Sequence, residues 1–397
     1  MNAQDLALQE ANDGAAWRKA WADVQSLRPI VEAHRQEAES LRRLPDPVAE
    51  AFLERDVYRL MLPRDLGGAG LTPLQHFELI LEVSRSDASA GWLYWLAGGA
   101  SIVAGKAPPE VAAIFTQADC AQAAALAPTG RAVAAEGGYR VSGRWAWASG
   151  IHQAPYVGAN CLVFDGDAPR LGPHGGPTVI MVIVPKADVR VLDTWRTGGL
   201  RGTGSTEFEM DDHFVAAAWA FPFIGGEPVM PHPIFKPPPT LFAFGMGAVA
   251  IGVAYTVIEG LKALALKKRL PPPKGLLAEQ SALQFTVAKT EAMVEAVEAS
   301  LRDAVARAWE DVNASGDWAL ENRLRFRRAL AHAVDTCIEA ISLCYRQAGG
   351  SAVHESEPFE RALRDSHAIG AHAAVQRGIY EQAGGIALGV APILPMF

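Results

Sequence analysis

The chain has 397 residues, half of them hydrophobic and a fifth charged, which suits two or three compact units around a sizeable core. A formal net charge of −8 argues against nucleic acid as the main partner. The four cysteines, Cys120, Cys161, Cys337 and Cys344, form no CxxC pair; they suggest neither a disulfide framework nor a zinc site, and they suit a reducing cytoplasm. The start of the chain, MNAQDLALQEAND, is polar and acidic and has no secretory pattern.

Residues 1–118 read as a helical domain. Leu27 to Glu54 carries apolar residues at three- and four-residue spacing. Pro63 to Gly70 is a glycine-rich loop, Thr72 is a candidate N-cap before Pro73, and Ala90 to Ala104 is a second apolar helix. Residues 119–222 change character. Gly138 to Trp145 and Thr206 to Met210 alternate, Val179 to Val184 is a continuous apolar strand, and Gly and Pro interrupt at short intervals. These residues predict a small, mostly antiparallel β domain. Residues 223–397 return to helices, with helical periodicity over Ser281 to Val312 and Asn322 to Gln347. Leu241 to Ile258 is free of charge and nearly long enough to span a membrane, but its Gly and Ala content and the lack of a second span predict a buried bundle helix and no membrane partner. Helices, strands and helices in that order predict an α–β–α layout. The Rossmann fingerprint and the P-loop lysine motif are both absent.

Three constellations carry chemistry. In Trp145-Ala146-Trp147-Ala148-Ser149-Gly150, an aromatic beside a hydroxyl can line a flat heterocycle, although a strand Trp is more often core and Ser-Gly more often a turn. Trp195 is followed by Gly198-Gly199-Leu200-Arg201-Gly202-Thr203-Gly204-Ser205, which is either an anion-binding loop or a loop with a solvated Arg. Gln347-Ala348-Gly349-Gly350 precedes Pro358, Arg361, Arg364 and Asp365; a Gly-Gly after a helix is most often a C-cap, yet the ordered series is rarely met by chance.

Together these motifs resemble the acyl-CoA dehydrogenase superfamily from Pro63 to about Val375. The wording with Ser149-Gly150 and Ala127-Pro128-Thr129-Gly130-Arg131-Ala132 is similar to its two-component flavin monooxygenase branch, with a type 2 acyl-CoA dehydrogenase C-terminal domain. The resemblance implies a mainly α fold with a central β domain: an N-terminal helical domain, a middle antiparallel β domain and a C-terminal four-helix bundle. It implies reduced flavin, FAD or FMN, with Ser149 at flavin N5 and Trp147 along the ring, and Trp195 and Arg201 nearby. It further implies that Gln347, Gly349 and Gly350 meet the flavin nucleotide of a neighbouring subunit, hence a homotetramer. Arg269 stands where the superfamily's pyrophosphate-holding Arg-x-Phe-Gly begins, but Leu270-Pro271-Pro272-Pro273 follows it.

A dehydrogenase of this family needs a carboxylate base. One usual position falls on Ala373, and Thr240 to Ile258, the other location, holds no Asp or Glu. In the monooxygenase branch the neighbouring position, here His372, is a histidine that assists deprotonation or stabilises the oxygenated flavin. The branch's aromatic hydroxylases often carry another His near Ala100. The expected activity is therefore a cytoplasmic oxygenase component acting through a C4a-hydroperoxide on a small molecule, with reduced flavin delivered by a separate NAD(P)H–flavin reductase. The alternatives are an acyl-CoA dehydrogenase with an unconventional base and a non-catalytic flavin-binding relative.

Overall fold

Period-two alternation between 122 and 221 becomes one sheet. The computed structural model describes residues 3–172 and 175–393, in two compact units. The first unit comprises residues 1–72, 93–196 and 201–239, and the second residues 73–92, 197–200 and 240–397.

In the first unit, helices α1 (Ala3–Leu41), α2 (Asp46–Glu54) and α5 (Pro109–Ala112) accompany the later part of α4 (Ala88–Ala100). The sheet consists of β1 (Gln122–Ala135), β2 (Gly138–Trp145), β3 (Tyr156–Asp165), β4 (Ala168–Pro169), β5 (Val179–Pro185), β6 (Arg190–Leu192), β7 (Glu207–Ala216) and β8 (Ala220–Phe221). Its order is β6-β7-β2-β1-β3-β5-β8, with β4 on β3. The sheet is mixed: β1 and β3 pair in parallel, and the other pairings are antiparallel. The β1–β3 register shifts between Ala125 and Gly130, so the Ala127-Pro128-Thr129 motif sits at an irregularity.

Both faces of the sheet centre are covered, which explains the unbroken apolar run of β5. Ile180, Val182 and Val184 join a core with Val141, Trp145 and Phe208, while Met181 and Ile183 join another with Leu62, Val103 and Phe115. Trp145 ends β2 opposite Phe208 of β7 and stacks on it, centroids 5.2 Å apart and planes 12° apart. Its indole N–H donates to the Asn160 carbonyl at 2.8 Å, meeting the polar need of a buried Trp. A side chain at Gly130 would collide with the Trp145 ring, so only glycine fits there.

The second unit is helical. It contains α3 (Pro73–Ser86), the first turn of α4, α6 (Phe244–Ala265), α7 (Ser281–Ser315), α8 (Leu320–Ala348), α9 (Phe359–Gly370) and α10 (Gly378–Ala387). Pro239–Ala265 is the stretch among the described residues long and apolar enough to cross a membrane, and 83% of its most apolar window is buried within the protein. Small residues let neighbours close on it, and a Cβ at Gly252 would strike the Leu81 carbonyl of α3. Charged groups around these helices pair, as in Arg302 with Glu298 at 2.7 Å and Arg85 with Glu259 at 2.5 Å. The latter pair matters for chemistry: α6 runs past Ile258, and its single carboxylate, Glu259, is taken up by Arg85.

Candidate functional site

In the first unit, the chain leaves β2 at Trp145 and bends sharply. Trp147 adopts a left-handed backbone, φ 64°, and its side chain is 69% exposed. A non-glycine residue at positive φ is strained, and an exposed indole leaves a large apolar area in water. The bend is held on both sides: Ala148 N–H donates to the Thr206 carbonyl at 3.1 Å, and Gly150 N–H to the Thr203 carbonyl at 3.0 Å. The two tryptophans two residues apart thus part company, one in the core and one presenting a free face.

Beside that face lies a chain of hydroxyls. Ser149 Oγ is 2.6 Å from Ser205 Oγ, which is 2.6 Å from Thr203 Oγ1. Each hydroxyl both donates and accepts, so the half-buried Ser149 can turn its proton either way. Thr203 and Ser205 lie in the glycine-rich loop singled out from the sequence but were not assigned a role there; only the folded bend brings them to Ser149.

Trp195 and Arg201 are joined by the same loop. Trp195 Nε1 donates to the Arg201 carbonyl at 3.1 Å, and the Trp195 carbonyl accepts from Arg42 at 3.2 Å. Arg42 also pairs with Asp193 at 2.7 Å, which raises the guanidinium's already high pKa. The Arg201 Nε lies 3.7 Å from Glu39, an ion pair beyond hydrogen-bond distance.

In the second unit, α8 ends at Ala348 and Gly349 takes a positive φ of 60°. A Cβ at Gly350 would meet nothing within 4 Å, so the backbone of this turn is open to approach. Lys268 Nζ donates to the Ala348 carbonyl at 2.7 Å and to Ser351 Oγ at 2.9 Å. The ammonium therefore stands at the turn, whereas Arg269 is exposed and is tied by its backbone to Leu276. The sequence pointed to Arg269; the cation held at the glycine turn is its neighbour. Gln347 is half-buried in the last turn of α8.

The Arg364-Asp365 pair has a structural task. Asp365 Oδ1 accepts from Leu200 N–H at 2.6 Å, and Arg364 donates to the Gly198 carbonyl. A side chain at Gly199 would strike the Arg364 carbonyl, so glycine is required for the close approach. Arg361 lies 3.9 Å from Asp87, which caps the start of α4 by accepting from Ala90 N–H at 2.8 Å.

His372 lies just beyond α9, in the turn that follows its last residue, Gly370. His367 is exposed on α9. Ala374 N–H donates to His372 Nδ1 at 3.1 Å. That bond makes Nδ1 the acceptor and leaves the neutral ring's proton on Nε2. The ring packs against Trp92, centroids 6.1 Å apart. The residue is exposed at the surface, yet the atoms crowded around its ring and then the positive charge of Arg327 lower its pKa below the usual 6.5, favouring the neutral form. Arg327, on α8, is itself buried and was not foreseen as a contributor.

These features suit a flavin. An exposed indole with a hydroxyl relay beside it matches a flat ring with polar edges, and an open turn holding a lysine matches an anionic nucleotide. Trp147, Ser149, Trp195 and Arg201 are gathered in the first unit; Arg269, Gln347, Gly349, Gly350 and His372 belong to the second. No group of three or more His, Cys, Asp or Glu residues able to hold a metal occurs among the described residues.

Residues 244–377 match the family model described as acyl-CoA dehydrogenase, C-terminal domain. An indole-3-acetate monooxygenase of Pseudomonas putida is 28% identical over 357 residues, 89% of each chain. The oxygenase subunit HsaA of a flavin-dependent monooxygenase from Rhodococcus jostii is 27% identical, over 88% of this chain and 93% of that one. Among solved structures, XiaF from Streptomyces, in complex with FADH2 and glycerol, superposes with a TM-score of 0.87 at 22% identity, covering 98% of this chain and 100% of that one. The C-terminal part of the chain thus matches the acyl-CoA dehydrogenase C-terminal domain family, and along most of its length the chain is similar to the oxygenase components of flavin-dependent monooxygenases.

Proposed function

We propose that this protein is the oxygenase component of a two-component flavin monooxygenase, using reduced flavin and O2 to oxygenate a small organic molecule. The observation that carries the reading is His372: a neutral, oriented imidazole stands beside Ala373, where a dehydrogenase would place its carboxylate base. The single carboxylate of α6 is paired with Arg85 and offers no replacement.

Bound flavin would supply the electrons and the site of oxygen activation. The residues do the rest. Trp147 offers an apolar face for the ring, Ser149 donates or accepts at its N5 edge, and Ser205 and Thr203 keep the Ser149 hydroxyl oriented. Trp195 and Arg201 border the same loop. Gln347, Gly349 and Gly350 hold the nucleotide with Lys268 as the cation, while Arg269 stays peripheral. His372, with its proton on Nε2, donates one hydrogen bond at the reacting centre and can pass that proton on.

The same reading includes a cytoplasmic homotetramer, a separate NAD(P)H–flavin reductase and either FAD or FMN. Leu266, Phe285 and Val353, large apolar side chains exposed in the second unit, support burial against another copy. The partition into 1–118, 119–222 and 223–397 is kept as its domain description.

The test is a reductase-coupled assay. The purified protein alone should oxidise NADH no faster than buffer. With a flavin reductase, NADH and O2, stopped-flow absorbance should show a lag before oxidised flavin returns, and mass spectrometry should find substrate gaining one oxygen atom. Bleaching of oxidised flavin on anaerobic addition of an acyl-CoA would instead establish a dehydrogenase, and neither response would mark a non-catalytic relative.

A further inference from the structure

The hydroxyl chain at the bend borders a narrow cleft in the first unit. Phe52 of α2, Tyr58, Leu93 and Ala97 of α4, Gln122 at the start of β1, and Ser149 are among its walls. The interior cavity measures about 20 Å³. One buried water needs roughly 10–15 Å³ and a few polar partners, so the space has the size of a single water. Tyr58, Gln122 and Ser149 bring polar groups to it from segments far apart in the sequence.

Gln122 is fixed at one end. Its Nε2 donates to the Ala100 carbonyl at 2.9 Å, tying β1 to the last residue of α4. Turning the amide over would set oxygen against oxygen, so the bond fixes which end faces which way. The other end, Oε1, is buried and meets no donor from the protein. Native proteins leave few such acceptors unmet, and an ordered water is the usual partner where there is room for one. Burial keeps the Tyr58 phenol protonated, so it remains a donor. The Ser149 hydroxyl shares one hydrogen bond with Ser205 at 2.6 Å, and its proton and two lone pairs leave it able to make others.

We propose that Gln122 is a positioning residue: its Oε1 holds one buried water against Ser149, and this water continues the chain Thr203–Ser205–Ser149 to the start of β1. The proposal rests on the role at the flavin edge given to Ser149 above. A reduced flavin presents an N–H at N5 and an oxidised flavin a lone pair, so Ser149 must accept in one state and donate in the other. An amide oxygen only accepts, so the water gives one hydrogen to Gln122 and keeps the other, with its lone pairs, for its remaining neighbours. It can accept from Ser149 or donate to it, whichever the flavin edge leaves over. Ser205 and Thr203 then need not reverse when the flavin changes state. No proton changes owner in this exchange, and the water is neither consumed nor formed.

A high-resolution crystal structure of the full-length protein tests the site without turnover. Density for one water should lie within hydrogen-bond reach, roughly 2.6–3.2 Å, of both Gln122 Oε1 and Ser149 Oγ. A cleft without that water would overturn the proposal, and no variant has to fold for the result to count. Gln122→Leu should lose the water. Gln122→Glu should keep it at low pH, where the protonated carboxyl donates to the Ala100 carbonyl and still offers an oxygen. A water that survives Gln122→Leu would count against Gln122 as its holder. Binding reads the role: wild type and Gln122→Leu are titrated with FAD and FMN, oxidised and, under anaerobic conditions, reduced. Loss of the water should change the ratio of the two affinities by about threefold or more, as for the loss of one hydrogen bond. An unchanged ratio with the water gone would overturn its role at Ser149. A water in place together with no oxygenated product in the coupled assay would support the site and overturn the monooxygenase reading alone.

Discussion

The bend at 147–150 and the turn at 347–351 both turn the backbone outward, but they are built from opposite materials. The bend is neutral: a strained tryptophan, three linked hydroxyls and backbone bonds to 203 and 206. The turn is cationic: a glycine at positive φ, an open Gly350 and the Lys268 ammonium bridging Ala348 and Ser351. A flat, weakly polar ring and a phosphate-bearing tail ask for these two environments respectively. The contrast teaches that glycine-rich sequence is not one kind of site; what it binds is set by the side chains the fold delivers to it.

The sharpest way to break the comparison starts two residues before the bend. Trp145→Ala should cost about 3–5 kcal/mol in chemical denaturation, because it empties a fully buried, hydrogen-bonded site. If it did not, the bend would lack the rigid base assumed for it. Ser149→Ala should lower oxygenated product per NADH by roughly 10- to 100-fold with flavin still bound, as expected for loss of a single oriented donor. An unchanged yield would remove Ser149 from the chemistry. Lys268→Met should weaken flavin binding about tenfold and flatten its dependence on salt, measured by fluorescence titration at two ionic strengths. An Arg269→Met variant with the larger effect would reverse the assignment at the turn.

Trp147→Ala should change stability by about 0.5 kcal/mol or less, since the side chain is already mostly in water. It should still weaken flavin binding roughly three- to tenfold through lost stacking. The smallest effect is a shift along the pH axis. With the His372 pKa lowered, the neutral ring persists on the acid side of 6.5, and the coupled rate should fall only as pH drops through that lowered value. Arg327→Met removes a positive charge, so the imidazole pKa should rise and the acid limb move to higher pH. NMR titration of the His372 ring proton checks the sign.

Much of this was legible because it is local. Alternation over 138–145 and 207–210, helical period over 281–312 and the glycine–proline punctuation depend on residues a few positions apart, and they became β2, β7 and α7. The parallel pairing of β1 with β3 was not legible, because pairing is a choice between distant segments and leaves no mark on either strand's pattern. The membrane-length run from 241 is a largely buried helix of the second unit, and its burial follows from the close approach its small residues allow.

The candidate site divides in the same way. The sequence by itself determined which residue types are present: a Trp–Ser–Gly bend, a Gln–Gly–Gly turn, and a His where a carboxylate would be needed. Only the tertiary structure decided what each one meets. It sent Trp145 inward and Trp147 outward, linked Ser149 to Ser205 across 56 residues, brought Lys268 rather than Arg269 to the turn, and left one oxygen of Gln122 without a donor. Periodicity is written in neighbours along the chain, but hydrogen bonds, burial and charge are settled by neighbours in space.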